Sequence, residues 1–191
     1  MDTNIVENHV NVVIVNGAPS SGKTTFEQMC SFILGPYYRA RSSVDLVKEV
    51  AAKVGWQGVK EPRDRKFLSD LKDLMSAYNN APFRDIMKYV REFEDELLSY
   101  QIDPRKGFIF VDVREPAEID KLKKATNGTT LLIRRDSAEA SKASNHADAN
   151  VLNYKYDYVI DNNQTFEDLE VEAKRFIKNL TSFQNSGIVN T

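Results

Sequence analysis

The stretch VVIVNGAPSSGKTT, residues 12–25, decides how the rest of this chain is arranged. An apolar run ends in a turn that begins at Gly17, and Gly22-Lys23-Thr24-Thr25 then opens a helical pattern. The spacing matches the motif G-x-x-x-x-G-K-[ST]. Glycines let the backbone turn tightly and bring its N–H groups close to phosphate oxygens, and the start of the following helix adds partial positive charge. The stretch therefore predicts a phosphate loop, residues 17–24, between a strand and a helix.

Each position of the phosphate loop has a predicted contact with a nucleotide. Lys23 is predicted to reach the β- and γ-phosphates and is a candidate catalytic residue, while the Thr24 hydroxyl is predicted to hold Mg²⁺. An ordinary strand–turn–helix without a ligand is the alternative interpretation of the same pattern. The predicted nucleotide-binding positions are Gly17, Ala18, Pro19, Ser20, Ser21, Gly22, Lys23, Thr24 and Thr25.

Length and composition predict one globular domain, residues 1–191. The chain is 41% hydrophobic and 28% charged, and its net charge of −2 argues against a nucleic-acid polymer as partner. Cys30 is the only cysteine, which excludes an internal disulfide and fits a reducing compartment. No apolar run approaches the ~18 residues of a membrane span, and residues 1–4 lack the basic start of a signal peptide. We expect a cytoplasmic protein that binds no membrane, with monomer and homodimer both open.

Short apolar runs alternate with helical patterns along the chain. This alternation predicts an α/β fold, a parallel sheet covered by helices on both sides. A long helical insertion, about 44–103, separates the second strand from the third, so that the core covers 10–43 and 104–181. A polar stretch, about 135–153, is predicted to be a mobile flap. The predicted strands cover residues 10–15, 37–42, 108–113, 129–133 and 156–160, and the last helix follows a capping-box-like pair, Thr165 and Asp168.

Asp112 and Arg114 follow the third predicted strand. A carboxylate at the end of a strand beside a phosphate loop is placed to reach the bound metal, so Asp112 is a candidate Mg²⁺ ligand. Arg114 lies two residues further on, points the same way along an extended chain and is a candidate catalytic residue. The alternatives are turn chemistry for Asp112 and a surface ion pair with Glu115 or Glu118 for Arg114.

Positive charge is concentrated in the middle of the chain. Residues 39–91 contain 12 lysines and arginines against 7 acids, whereas residues 92–191 contain 13 against 18. The basic middle fits a site for a phosphorylated partner, and a solvated helical face is the alternative. Arg39 and Arg41 alternate with Tyr38 and Ala40, so both arginines share one face of the second strand, where acceptor binding and simple exposure both stay open.

Together these motifs resemble the phosphate-loop small-molecule kinases, specifically the phage-type deoxynucleoside monophosphate kinases and the related phosphomevalonate kinases. The resemblance covers most of the chain and rests on the loop at 17–24, Asp112-Val113-Arg114, the strand leading to Arg135, His146 in the flap, and 159–162. It implies the three-layer α/β/α sandwich of the P-loop NTPases, with five parallel strands in the order 2-3-1-4-5. It also implies that Arg135, a candidate catalytic residue, contacts ATP and that Asn162 lies near the adenine.

The resemblance further implies that the helical insertion binds the phosphorylated acceptor. Arg65, Lys66 and Arg84 look like the basic acceptor-side residues of that family, and they join Arg39 and Arg41 as predicted substrate-binding residues. His146 is not assigned as a base, because transfer to an already ionised phosphate needs none.

The expected function is phosphoryl transfer from ATP, with Mg²⁺, to a small phosphorylated acceptor, foremost a (deoxy)nucleoside monophosphate. A regulatory GTPase is disfavoured because the chain lacks an Asn-Lys-x-Asp guanine reader. A nucleotide-binding module or ATPase without a small acceptor, and a kinase for a non-nucleotide acceptor, stay open.

Overall fold

The computed structural model describes residues 10–59, 61–139 and 151–186. Its strands are β1 (Asn11–Asn16), β2 (Tyr38–Ser42), β3 (Phe108–Asp112), β4 (Thr129–Arg134) and β5 (Tyr158–Asp161). Its helices are α1 (Lys23–Leu34), α2 (Asp45–Lys53), α3 (Pro62–Asn79), α4 (Ala81–Ser99), α5 (Pro116–Thr126), α6 (Asp136–Glu139) and α7 (Phe166–Ser186). Short 3-10 turns cover Gly35–Tyr37, Pro104–Lys106 and Val151–Asn153.

The five strands form one parallel sheet in the order β2-β3-β1-β4-β5, which confirms the predicted fold class. β1 lies at the centre and pairs with β3 on one side and β4 on the other. β3 and β4 flank β1, and the chain connections on these two sides run in opposite directions away from β1. Ligands of open α/β sheets bind in the crevice that forms at such a point. This topology places the phosphate loop in that crevice.

The side chains of β1 point alternately into two hydrophobic cores. Val13 and Val15 pack against α1 and α7 on one face of the sheet. Val12 and Ile14 pack against α4 and α5 on the other face. The continuous apolar run of a central strand is thus explained by burial on both faces, and the result is a three-layer α/β/α sandwich.

The insertion between β2 and β3 consists of α2, α3 and α4. α4 buries one side, including Ile86, Val90 and Phe93, against the sheet. α3 has no buried residue over its 18 positions and carries exposed apolar side chains such as Leu74 and Tyr78. The apolar positions of α3, which the helical spacing of Phe67, Leu71 and Leu74 predicts to form one core stripe, are therefore divided between contact with neighbouring helices and solvent.

The boundaries of the last two elements differ from the prediction. β5 begins at Tyr158 rather than at 156, because the Asp157 carboxylate accepts hydrogen bonds from the Thr130 N–H and hydroxyl, at 2.9 and 2.8 Å, where strand pairing would continue. α7 reaches Ser186, beyond the predicted end near residue 181. Its start agrees with the predicted capping box, since the Asp168 carboxylate accepts from the Thr165 N–H and hydroxyl.

The centre of the predicted flap, residues 140–150 with His146, lies outside the described residues. The described flanks are α6 on one side and the turn Val151–Asn153 on the other. Within the described residues, no helix is both long enough and apolar enough to cross a membrane.

Candidate active site

The predicted nucleotide-binding and metal-binding residues lie at one edge of the sheet, where the parallel strands have their carboxyl ends. β1 leads into Gly17, β3 ends at Asp112 with Arg114 just beyond, and Arg135 directly follows β4. Parallel pairing aligns these ends, with Val15 opposite both Asp112 and Leu131. Residues far apart in sequence therefore meet around the phosphate loop.

The two glycines of the motif lie where the loop backbone touches its neighbours. A Cβ on Gly17 would lie 2.3 Å from the carbonyl oxygen of Ile133 in β4. Gly22 has a φ of 97°, and a Cβ there would lie 2.2 Å from Nδ2 of Asn162. Because any side chain would push the loop away from the sheet, the close approach of the loop requires glycine at both positions.

Backbone donors at the start of α1 make the loop suitable for an anion. No side chain of the described chain caps this helix at Gly22, and its first turn contains no acidic residue. The Ser21 hydroxyl is buried and has no hydrogen-bond partner within the described residues. A glycine cradle, an uncapped helix start and an orphaned buried hydroxyl together fit the phosphates of a nucleotide.

The Lys23 ammonium lies across the phosphate loop. It donates to the carbonyl oxygens of Gly17 at 2.5 Å and Ala18 at 3.3 Å. Its positive charge lowers the pKa of both Asp112 and Glu27 against the opposing effect of burial. Lys23 therefore bonds to the loop backbone and acts electrostatically on the two acidic residues beside it, while its contact with the β- and γ-phosphates stays a prediction.

Asp112 lies in a partly buried, strongly charged environment at the end of β3. Burial raises the pKa of its carboxyl, while the nearby charges of Lys23 and Arg114 lower it. Asp45 and Lys48 of α2 also act on this carboxyl, in opposite directions. The Asp112 carboxyl thus lies within electrostatic reach of both Lys23 and Arg114, and burial dominates, so its pKa is raised overall.

The donor set around Asp112 fits Mg²⁺ better than a transition metal. Within the described residues, no three side chains of His, Cys, Asp or Glu are grouped as a metal cage. Mg²⁺ usually keeps several waters and is bound by one or two protein oxygens together with substrate phosphates. The Asp112 carboxylate and the Thr24 hydroxyl, in the exposed first turn of α1, are oxygen donors of this kind.

Glu27 is a component of the site that sequence reasoning missed. Burial and the neighbouring Asp112 carboxylate raise the pKa of Glu27 to about 8, and Lys23 counteracts them. Glu27 lies four residues after Lys23, and this spacing puts both side chains on one face of α1. The sequence did contain a signal for Glu27, which is an acidic residue placed among the buried apolar residues Phe26 and Met29.

Two buried asparagines hold the ends of the phosphate loop. Asn16 accepts a hydrogen bond from the Gly17 N–H at 2.8 Å, and Asn162 donates to the Ser21 carbonyl at 2.9 Å. Asn162 was predicted on the adenine side, and in the structure its amide contacts the loop backbone. Asn16 was not predicted as a functional residue. The sequence signal that could have identified it is a polar residue at the end of the apolar strand β1.

Arg39 and Arg41 extend towards α4 and form ion pairs with acids. Arg39 lies 2.8 Å from Glu96 and above the Phe93 ring. Arg41 lies 2.7 Å from Asp85, an interaction that raises the pKa of Arg41, and 3.1 Å from Glu49. The prediction that the two arginines share a face is confirmed, and their charges are largely neutralised by that face.

The other predicted basic residues are exposed. Arg65 and Lys66 lie in the first half of α3, where Lys66 pairs with Asp70 at 2.6 Å. Arg84 is exposed in the first turns of α4, and Arg135 is exposed at the start of α6. The five residues predicted to bind the acceptor are therefore distributed over β2, α3 and α4.

An open pocket lies next to Asp112, between the insertion and α5. Its wall is mainly apolar, with Phe83 and Ile86 of α4 facing Leu122 of α5. Ser43, at its inner end, donates a backbone hydrogen bond of 3.0 Å to the Asp112 carbonyl. The remaining lining residues are Asn80, Pro82, Ala117, Glu118 and Lys121. Ser43 is thus the lining residue that connects the pocket to the end of β3.

Lys121 lines this pocket, and Lys72 pairs with another lining residue, Glu118. Lys121 donates to the Asn80 side chain at 2.8 Å and lies 4.2 Å from the centre of the Phe83 ring. Lys72, from α3, pairs with Glu118 at 2.6 Å and is mostly buried. These contacts join the insertion to α5, so the pocket has a defined shape with polar groups at its rim.

No protein-family model and no curated protein matches this sequence. Among solved structures, a thymidylate kinase from Candida albicans is 13% identical, with a TM-score of 0.47 and coverage of 90% of this chain and 92% of that chain. A gluconokinase from Sinorhizobium meliloti is 14% identical, with a TM-score of 0.46 and coverage of 93% and 98%. A dephospho-CoA kinase from Campylobacter jejuni is 16% identical, with a TM-score of 0.40 and coverage of 90% and 98%. Similarity at this level assigns no function to the chain, because one fold hosts many activities.

Proposed function

We propose that this protein transfers a phosphoryl group from ATP, with Mg²⁺, to a small phosphorylated acceptor. The observation that supports the proposal is a glycine-cradled loop whose Lys23 acts electrostatically, together with Arg114, on the buried Asp112 carboxyl. We further propose that the whole chain, 1–191, acts as one kinase domain, with residues 44–103 on the acceptor side. A (deoxy)nucleoside monophosphate is the first acceptor class to test.

The donor half of the proposed site is the phosphate loop. Backbone N–H groups of the loop and of the first turn of α1 bind the phosphates, and Lys23 neutralises their charge. Thr24 and Asp112 would hold Mg²⁺, which supplies positive charge to the transferring phosphate oxygens when bound. Arg114 and Arg135 are the candidate arginines for the charge that develops during transfer.

The acceptor half of the proposed site is the pocket beside Asp112. Its apolar wall suits a flat ring, and the polar rim supplied by Glu118, Lys121 and Asn80 offers hydrogen bonds to ring substituents. Arg65, Lys66 and Arg84 stay candidates for the acceptor phosphate. Arg39 and Arg41 do not enter the proposal, because Glu96, Asp85 and Glu49 already balance their charges.

The proposed chemistry depends on positioning and charge rather than on a strong base. An ionised phosphate is already a nucleophile, so the chain has to bring two anions together and neutralise their repulsion. Lys23 and Arg114 provide fixed positive charge close to Asp112. Such preorganised charge costs no rearrangement at the moment of transfer.

Measuring ADP release with a panel of acceptors tests the proposal. We expect at least one nucleoside monophosphate to raise ATP turnover well above the rate without acceptor. If neither these nor mevalonate phosphate raises turnover, the phosphorylated-acceptor proposal is wrong, and an ATPase or a nucleotide-binding module becomes the better description. Comparing ATP with GTP in the same assay checks the choice of donor.

A pair of variants tests the placement of the acceptor. Phe83→Ala removes a ring from the pocket wall, and we expect it to raise the acceptor KM about tenfold while the ATP KM changes little. Leu74→Ala on the exposed side of α3 is the control and is expected to change neither constant. Equal acceptor KM values for Phe83→Ala and wild type would place the acceptor elsewhere.

A further inference from the structure

Asn16 is the centre of a buried hydrogen-bond network that joins three separate parts of the chain. Its Oδ1 accepts from the Gly17 N–H at 2.8 Å. Its Nδ2 donates to the Arg114 carbonyl at 3.1 Å and to the Tyr156 hydroxyl at 2.8 Å. The residue is 1% exposed, so these partners replace water on every polar atom of the side chain. The Asn16 amide thus contacts the phosphate loop, the backbone at Arg114 after β3 and the segment before β5.

The direction of each hydrogen bond in this network is determined by its partners. Gly17 presents its N–H to the Asn16 side chain and Arg114 presents its carbonyl, so only one orientation of the amide satisfies both. The Tyr156 hydroxyl accepts from Asn16 and donates to the Val151 carbonyl at 2.9 Å. Burial raises the pKa of Tyr156 to about 12, so the hydroxyl stays protonated well above neutral pH.

The position of Asn16 coincides with the point where strand pairing ends. The last backbone bond between β1 and the segment after β3 runs from the Val113 N–H to the Val15 carbonyl, at 3.0 Å. One residue further along both chains, the link between Asn16 and Arg114 is made by the asparagine side chain instead. A side chain therefore sets the separation between the phosphate loop and the backbone of Arg114.

We propose that Asn16 is a positioning residue that holds Arg114 in register with the phosphate loop. This inference rests on the proposed function, in which Arg114 acts on the nucleotide phosphates. Asn16 itself touches the backbone of Gly17 and Arg114 and is too deeply buried to serve as a substrate ligand. Its effect on the nucleotide passes through Arg114, while Tyr156 supports the same amide from the other side.

A double-mutant cycle on nucleotide binding tests this role. Affinities for Mg·ATP and Mg·ADP are measured by titration for the wild type, Asn16→Ala, Arg114→Ala and the double variant. We expect Asn16→Ala and Arg114→Ala each to weaken ATP binding about tenfold, and the double variant to bind ATP no more weakly than Arg114→Ala. Independent effects that multiply in the double variant would overturn the proposal, because a purely structural asparagine does not act through Arg114.

Two further variants keep the test decisive. Asn16→Asp retains the acceptor for the Gly17 N–H but has no donor for the Arg114 carbonyl, so it replaces Asn16→Ala in the cycle if the alanine variant does not fold. Tyr156→Phe removes one branch and leaves both the Gly17 and Arg114 bonds, so we expect ATP affinity within about threefold of wild type. A loss in Tyr156→Phe as large as in Asn16→Ala would overturn the link to Arg114.

The binding readout separates this inference from the proposed function. A protein that binds ATP but transfers phosphate to no acceptor would contradict the kinase proposal, and the cycle would still report on Asn16. If the effects of Asn16→Ala and Arg114→Ala multiply in the double variant while phosphoryl transfer is normal, the proposed role of Asn16 is contradicted and the kinase proposal is not. Absence of nucleotide binding in the wild type would overturn both.

Discussion

Gly22 and Gly55 share the same positive φ but have opposite surroundings. Both have a φ of 97°, which L-residues with a side chain rarely adopt. A Cβ on Gly22 would meet the Asn162 amide, whereas a Cβ on Gly55 would meet no described atom within 4 Å. The pair therefore separates the cost of backbone strain from the cost of disturbing the phosphate loop.

We expect Gly55→Ala to lower the free energy of unfolding by about 1 kcal/mol and to leave ATP affinity unchanged. Gly22→Ala should lose a similar or larger amount of stability and, in addition, most of its ATP binding, because the new methyl group displaces the loop. Urea unfolding and ATP titration of both variants measure these effects. ATP binding by Gly22→Ala at wild-type strength would show that the loop geometry does not determine affinity.

Lys23 provides the fixed positive charge of the loop. We expect Lys23→Ala to reduce turnover by about 10³-fold or more, since the variant loses the cation that acts on Asp112 and is proposed to neutralise the phosphates. Lys53→Ala, an exposed residue in the last turn of α2, is the control and should retain full activity. Coupled ADP release measures both variants, and near-normal turnover of Lys23→Ala would contradict the role of the phosphate loop.

Asp157 shows how one side chain connects neighbouring elements. It accepts from Lys123 of α5 at 2.7 Å and from the backbone and hydroxyl of Thr130 in β4. Burial raises the pKa of Asp157, but the hydrogen bonds from Lys123 and Thr130 outweigh it and hold the pKa below its ordinary value. The contribution of Asp157 to stability is therefore present above the pKa of the unfolded chain, 3.8, and is lost as the pH falls below it.

From this linkage, Asp157→Asn is expected to be less stable than wild type at pH 7, by about 1 kcal/mol. The difference should shrink as the pH falls below about 4, where the wild-type carboxyl is protonated as well. Urea unfolding between pH 3 and pH 7 measures it. Asp161→Asn, which removes a more exposed ion pair with Arg134, should change stability less, and a pH-independent loss in Asp157→Asn would refute the electrostatic account.

The elements themselves follow from local signals. A continuous apolar run predicted β1 and β3, and the spacing of Thr165 and Asp168 predicted the start of α7. The start of β5 could not be predicted, because the Asp157 side chain bonds to Thr130, 27 residues away. The exposed apolar face of α3 was also missed, since periodicity identifies an apolar stripe without saying what covers it.

At the scale of the whole molecule, bound nucleotide should stabilise the fold. The proposed site joins residues from β1, α1, β3 and the turn after β5, so unfolding destroys it, and a ligand that binds only the folded state adds to stability. At a concentration of Mg·ATP about 100 times its Kd, we expect a gain of about 2.7 kcal/mol and a rise in Tm of roughly 5–10 °C.

A thermal-unfolding experiment checks this linkage and the role of the metal. Removing Mg²⁺ with EDTA should reduce the Tm shift caused by ATP, because Thr24 and Asp112 are proposed to hold the ion between protein and phosphates. Lys23→Ala should reduce the shift as well. An unchanged shift in EDTA would mean that Thr24 and Asp112 do not bind the metal.

The excess of positive charge in the middle of the chain has a different interpretation in the folded molecule than in the sequence. The net positive charge of residues 39–91 suggested a phosphate site, yet many of its cations have acidic partners in the folded chain. Arg39 and Arg41 pair with acids on α2 and α4, and Lys72 pairs with Glu118 on α5. Counting charges along a sequence cannot reveal such pairing, since the partners are brought together only by folding.

The sequence by itself determined the fold class, and it predicted a phosphate loop with Lys23, Asp112 and Arg114 beside it. These follow from local periodicity, from glycine spacing, and from the rule that parallel strands end at one edge. Only the tertiary structure decided which arginines are neutralised, where the pocket between the insertion and α5 lies, and that Glu27 and Asn16 lie beside the predicted phosphate loop. These features depend on contacts between residues far apart in sequence, such as Asn16 with Tyr156, 140 positions away, and no local pattern encodes them.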